Sequence, residues 1–154
     1  MRMDFLATTL LLGACAATVP PTPPRADADV GVERAFFDTY PAPLFLSLAA
    51  VCAGPGQSIV RPSANRLQCE SLPDPESAAA LILNYDGTIT DLPRYVIGLQ
   101  ADPVASGFDV STSYYIRVPQ LSGRSVEVRL RDPALGREMR RTLQAAGGRL
   151  TDAG

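Results

Sequence analysis

A chain of 154 residues with 46% apolar and 19% charged side chains has room for one globular domain with a modest core, and its formal net charge of -2 names no partner. All 14 basic residues are arginine, with no lysine and no histidine. That removes the imidazole base of Ser/His/Asp and Cys/His nucleophiles, together with Schiff-base and Ser/Lys chemistry, although a GC-rich genome is a plainer origin for the missing lysine.

Residues 1–14 have the three parts of an export signal: Arg2 near the start, an apolar run over residues 5–12, then small residues. The run is too short to span a bilayer, which takes about 18 uninterrupted apolar residues, because Thr8, Thr9 and the prolines from Pro20 close the window. The sequence Leu12-Gly13-Ala14-Cys15 resembles the lipobox of bacterial lipoproteins, with Leu three places before the cysteine and two small residues between. The resemblance implies cleavage before Cys15, a diacylglycerol on its thiol and usually an acyl group on the new amino terminus. Two or three chains hold a protein firmly where one holds it marginally. Asp4 offsets Arg2 and departs from the pattern; an ordinary secretory signal with a free cysteine is the alternative. Ala16, where an aspartate would favour the inner membrane in enterobacterial lipoproteins, implies an outer-membrane anchor facing the periplasm.

Residues 15–31 then read as the lipidated cysteine and a tether. Pro20, Pro21, Pro23 and Pro24 favour polyproline II, which rises about 3.1 Å per residue and gives a reach of roughly 40 to 50 Å. Three cysteines minus Cys15 leave Cys52 and Cys69, an even pair that in an exported chain is expected to form a disulfide rather than two buried thiols.

Residues 32–154 read as a single small domain. Val32, Phe36 and Tyr40 stand at helical spacing before Pro41 and Pro43 stop the element. A second helix starts at Pro43 and runs to Ala53; it is apolar all round, from Leu44 to Val51, and is therefore expected to be buried. "QSIVRPSANRLQCES" reads as a hairpin with strands 58–61 and 66–70 and a turn at Pro62-Ser63-Ala64-Asn65. In "DPESAAALILNY", Asp74 as cap and Pro75 as first helical residue favour a helix, against a strand at Leu81-Ile82-Leu83. Tyr95, Ile97, Leu99 and Ala101 alternate on one strand, and Val110, Thr112, Tyr114, Ile116 and Val118 on the next. A fifth strand, 124–130, turns Val126, Val128 and Leu130 inward. The last helix is capped by Asp132, takes Pro133 as its first residue and ends at Gly147-Gly148. Its stripe of Leu135, Met139, Leu143 and Ala146 lies opposite Arg137, Arg140 and Arg141. The fold class is α+β, an antiparallel sheet of about four to five strands with helices packed on one face.

The candidate chemistry is sparse. Asn84, Asp86, Gly87, Thr88 and Ile89 match the middle of an EF-hand loop, but its first and twelfth positions fall on Ile82 and Pro93, so a solvated Asp-Gly turn is the better reading. Cys52 and Cys69 are too far apart for a CxxC site, and no histidine completes a metal set. A carboxylate hydrolase would need two acids from among Glu70, Asp86, Asp91 and Asp109 to share a pocket. No cofactor, no metal and no catalytic residue is assigned.

Charge is unevenly spread. Between Glu70 and Asp109 seven acids face one arginine, whereas between Arg117 and Arg141 seven arginines face three acids. Arg117, Arg129, Arg131, Arg137, Arg140 and Arg141 are the candidate surface for an anionic partner: envelope protein, lipid headgroup or glycan. The alternative is that they answer the acidic half within the fold; nucleic acid is excluded, since export removes it and the acids would repel it. The expected function is non-catalytic binding by an envelope-anchored lipoprotein, an accessory or assembly factor. A pilotin-like or secretion-system subunit and a small carboxylate-dependent hydrolase are the alternatives.

Overall fold

The structure, a computed structural model, describes residues 30–151. The export signal, the lipobox with Cys15 and the tether up to residue 29 lie outside the described residues. Val30 and Gly31, the last two tether residues by sequence, form the turn that leads into the first strand.

The fold is mixed α+β: one antiparallel sheet of seven strands with three helices. In chain order the elements are β1 (Val32–Phe37), α1 (Ala42–Val51), β2 (Gln57–Ser63), β3 (Arg66–Ser71), α2 (Pro75–Asn84), β4 (Arg94–Val104), β5 (Gly107–Pro119), β6 (Ser125–Arg129), α3 (Pro133–Ala145) and β7 (Arg149–Thr151). The strands lie in the order β2-β3-β4-β5-β1-β7, and β6 also pairs with β5. The sheet is thus larger than the four to five strands expected, by β1 and β7.

The segment with helical spacing is instead a strand. In β1 the residues Ala35 and Phe37 are buried on one face, while Arg34 and Phe36 take the other. A helix here would have had about two turns before Pro41, too short to stand without tertiary support. As a strand the segment is hydrogen-bonded on both sides, to β5 and to β7, and its aromatic and β-branched residues suit that setting. β7 closes the edge. Arg149 donates to Asp38 at 2.8 and 2.9 Å, holding that carboxyl below its ordinary pKa, and its guanidinium lies over the Phe36 ring.

Register pairs put Ala35, Phe37, Leu67, Leu99, Ala101 and Val110 on one face of the sheet, where they form the core with Leu44 and Phe45 of α1 and Leu143 of α3. The helix expected to be buried all round is buried on one side only: Leu46 is 68% and Val51 71% exposed, because α1 lies over the sheet with nothing beyond it. α2 is the helix of the two readings; Asp74 accepts a hydrogen bond from the Ser77 amide at its start. β2 runs through Pro62, and the turn is shortened to Ala64-Asn65. Proline is tolerated there because β2 is an edge strand whose register shifts between Val60 and Ser63. α3 has the expected limits, with the Asp132 carboxylate accepting from the Ala134 and Leu135 amides and Gly147 at φ +93° past its end.

Cys52, just after α1, is bonded to Cys69 of β3. Both are buried, so the bond fastens the end of the outer helix to the sheet beneath it.

Candidate functional site

β5 is long enough to pair with two strands end to end along one edge. β1 runs beside Phe108 to Ser113, and β6 beside Tyr115 to Pro119. The seam falls at Tyr114, whose amide donates to the carbonyl of Gly31 at 2.9 Å. Gly31 has φ +72°, and a Cβ there would stand 2.7 Å from the Tyr114 carbonyl oxygen, so the chain entering the domain passes where only glycine fits. The Tyr114 side chain runs beneath the start of α3, where its hydroxyl donates to the Asp132 carbonyl at 3.0 Å. Gly136 leaves room for Glu33, since a Cβ on it would lie 2.7 Å from Glu33 Oε1.

These approaches leave a cleft of about 350 Å³ between the seam and α3, into which Arg131, Arg137 and Arg140 converge. Arg140 pairs with Glu33 at 3.4 Å. Among the described residues Arg131 and Arg137 have no ion-pair partner, and Asp132 is occupied in capping α3. Three guanidinium groups therefore face two carboxylates, Glu33 and Asp132, in the cleft, and the forked donors of Arg131 and Arg137, outside any ion pair among the described residues, suit carboxylate, phosphate or sulfate oxygens. A second cleft of about 280 Å³ adjoins it, lined by Val30, Glu127, Arg129 and Arg131, so Arg131 belongs to both.

The six arginines grouped from sequence are thus divided by the fold. Arg131, Arg137 and Arg140 come together; Arg141 lies further round α3, largely exposed and paired with Glu138. Arg117 and Arg129 point from the sheet face opposite the core and are answered by acids. Arg117 donates to Glu70 at 2.9 Å, Arg94 stands 3.7 Å from the same oxygen, and Arg129 pairs with Glu127 while covering the Tyr115 ring. The acidic and basic stretches of the sequence meet at Arg117 and Glu70, while Asp109 pairs with Arg34 and Arg140 with Glu33, partners that lie outside both stretches.

The cluster around Glu70 is an instance of the alternative in which the arginines answer the acidic half within the fold. Glu70 is 3% exposed, beside Gln68, which donates to the Tyr115 hydroxyl at 3.1 Å. Burial, reinforced by the charge of Glu127, raises the Tyr115 pKa. Glu70 Oε1, Arg117 Nε and Arg129 Nη1 are buried with no hydrogen-bond partner in the protein, and the cluster is joined by the Arg117–Glu70 and Arg129–Glu127 hydrogen bonds and the approach of Arg94.

Of the acids weighed for hydrolysis, Glu70 and Asp109 lie on well-separated rows of the sheet, and Asp86 sits in the turn after α2 with φ +51°. Asp91 lines a cleft with Thr88, Thr90 and Arg124. Gly87, which follows Asp86, bridges to Gln120, giving the EF-hand-like stretch a place at the sheet margin. Among the described residues no three of Asp, Glu and Cys gather as metal ligands, and no helix is long and apolar enough to cross a membrane. Comparison of the chain with protein-family models, with curated proteins and with solved structures yields no match.

Proposed function

We propose that the protein is a lipid-anchored binding module of the bacterial cell envelope, held through Cys15 to the outer membrane on its periplasmic side, and that it works without catalysis by engaging an anionic partner in the arginine cleft. One observation carries the anchored reading. Cys52 and Cys69 bond to each other, which suits an oxidising compartment and leaves the lipobox residue Cys15 as the third cysteine of the chain. Replacing Cys15 by serine is expected to move the protein from the membrane to the soluble fraction, because acylation is then the only firm attachment lost. Retention of Cys15→Ser in carbonate-washed membranes of the native host would overturn the anchor.

The binding half of the reading is supported by Arg131 and Arg137, guanidinium groups outside any ion pair among the described residues, at a cleft beside Val30, where the tether joins the domain. A partner offering carboxylates in periplasmic proteins of the assembly or secretion class fits them. With a photocrosslinking side chain in place of Arg141, which lies on α3 outside the cleft, one recurrent envelope protein is the expected adduct, and Arg131→Glu in the same chain is expected to suppress it. A crosslink pattern unaffected by Arg131→Glu would remove the cleft from the account.

A further inference from the structure

The barest apolar side chains of the described residues stand on one pair of joined loops. Leu83 is 82%, Ile89 81% and Leu121 79% exposed, more than any other large apolar residue described. Leu83 lies in the last turn of α2, Ile89 between α2 and β4, and Leu121 between β5 and β6. The fold stitches these segments together at the end of the sheet where β5 finishes and β4 begins. Thr88 donates its amide to the Pro119 carbonyl at 3.0 Å and Leu121 its amide to that of Asp86 at 3.2 Å. The Gln120 side chain donates to the Tyr85 carbonyl at 3.0 Å, and Gly87 bridges to Gln120. Leu72 and Leu92, exposed to a lesser degree, flank the same end, after β3 and before β4.

The joined loops are also free of charge at their tips. Residues 87–90, Gly-Thr-Ile-Thr, and 119–123, Pro-Gln-Leu-Ser-Gly, carry no ionisable side chain, and Asp86, Asp91 and Arg124 stand at their margins. Single exposed hydrophobes are ordinary, but a group of them rimmed by polar residues marks an interaction surface. At about four-fifths exposed, these side chains project beyond the turns that carry them. Projecting apolar tips set among hydroxyls and amides suit the boundary between lipid headgroups and acyl chains, which they enter without burying an ion.

We infer that this end of the sheet docks on the bilayer to which Cys15 anchors the chain, with Ile89 and Leu121 inserted to headgroup depth and Leu83 beside them. The inference rests on the anchored reading. The tether joins the domain at Gly31, beside Tyr114, and the path along β5 and its turn from Tyr114 to Leu121 is roughly 23 Å. Residues 15–29 reach roughly 40 to 50 Å when extended, so Cys15 can lie in the plane that the tips touch. A few inserted side chains hold weakly by themselves, but a tethered contact forms at an effective concentration on the order of millimolar, where weak binding suffices. With two acids and one arginine at the margin the contact is apolar, so it needs no anionic lipid.

The test uses the processed chain from residue 15, with Cys15→Ser and a hexahistidine tag before it, held on phosphatidylcholine vesicles by a nickel-chelating lipid. Attachment is then imposed, so failure here is distinct from failure of the anchor, which fractionation of Cys15→Ser in the native host reads separately. The chain has no tryptophan, so Ile89→Trp, Leu121→Trp and, at the opposite end of β5, Val104→Trp each supply a single reporter. On vesicles the first two are expected to emit further to the blue and to be quenched severalfold by lipids brominated near the headgroup, with Val104→Trp unchanged in both. Leu121→Asp in the Ile89→Trp chain is expected to abolish the shift, and high salt to leave it in place. Tip reporters that behave like Val104→Trp, in variants with the parent's thermal melt, would overturn the inference. So would a shift that salt removes, or one that grows with protein concentration in vesicle-free buffer, which would assign the tips to a second copy of the chain.

Discussion

Replacing Glu70 by alanine is expected to cost the domain about 2 to 3 kcal/mol, the loss from breaking a buried ion pair discounted because both partner guanidiniums are about a third exposed. Arg94 and Arg117 are register partners on β4 and β5, side by side, and the Glu70 carboxylate lies within ion-pair distance of both. Without it two like charges face each other across the ladder, with Glu127, the β6 register partner of Arg117, engaged by Arg129. Glu70→Gln keeps the volume and an acceptor oxygen but not the charge, and is expected to cost about half as much. Replacing Glu70 and Arg117 together by leucine is expected to recover part of the loss, since Arg94 then faces no second arginine and is the one charge left without Glu70. Urea unfolding measures all three. A Glu70→Ala variant within about 0.5 kcal/mol of the parent would show that water, not this carboxylate, neutralises the arginines.

The elements legible in the sequence are those whose signals are local. α3 is marked by Asp132 at its cap, Pro133 at its first position and Gly147 at its end, all within one stretch of chain. The alternation in β4 and β5 and the cap of α2 were legible for the same reason. β1 was not, because its spacing of Val32 and Phe36 fits a helix and a strand equally well, and the choice is made by pairing with β5 and β7 far along the chain. The exposed side of α1 was missed on similar grounds: composition gives the apolarity of a helix but not how many of its sides another element covers. At the candidate site, Arg137 and Arg140 are neighbours by helical period alone. Glu33, Tyr114 and Gly136, which shape the cleft around them, come from distant strands and turns and carry no local signal. The six arginines are divided because strand faces carry no local signal: Arg117 and Arg129 project from the same sheet face as Glu70 and meet acids there.

Reduction of Cys52–Cys69 is expected to cost about 3 kcal/mol, the chain-entropy value for a loop of this length, and to lower the melting temperature by about 10 °C in a domain of this size. The effect should also be uneven. α3 is anchored by the fully buried Leu143, and its start is fixed by Asp132 and by the Tyr114 hydroxyl. α1 fully buries only Leu44 and Phe45, near its start, with Leu48 and Ala49 partly buried against the core, and has no side-chain cap, so its last turn leans most on the bond at Cys52. Amide exchange in the last turn of α1 should therefore accelerate on reduction well beyond that of α3. The Cys52→Ala/Cys69→Ala chain should reproduce both changes without reductant, separating the bond from side effects of the reagent. An unchanged melt, with two thiols titrating freely after reduction, would mean that packing alone holds α1. The same dependence bears on location: a domain that loses this much on reduction reaches its full stability only where thiols are oxidised, as they are outside the cytoplasm.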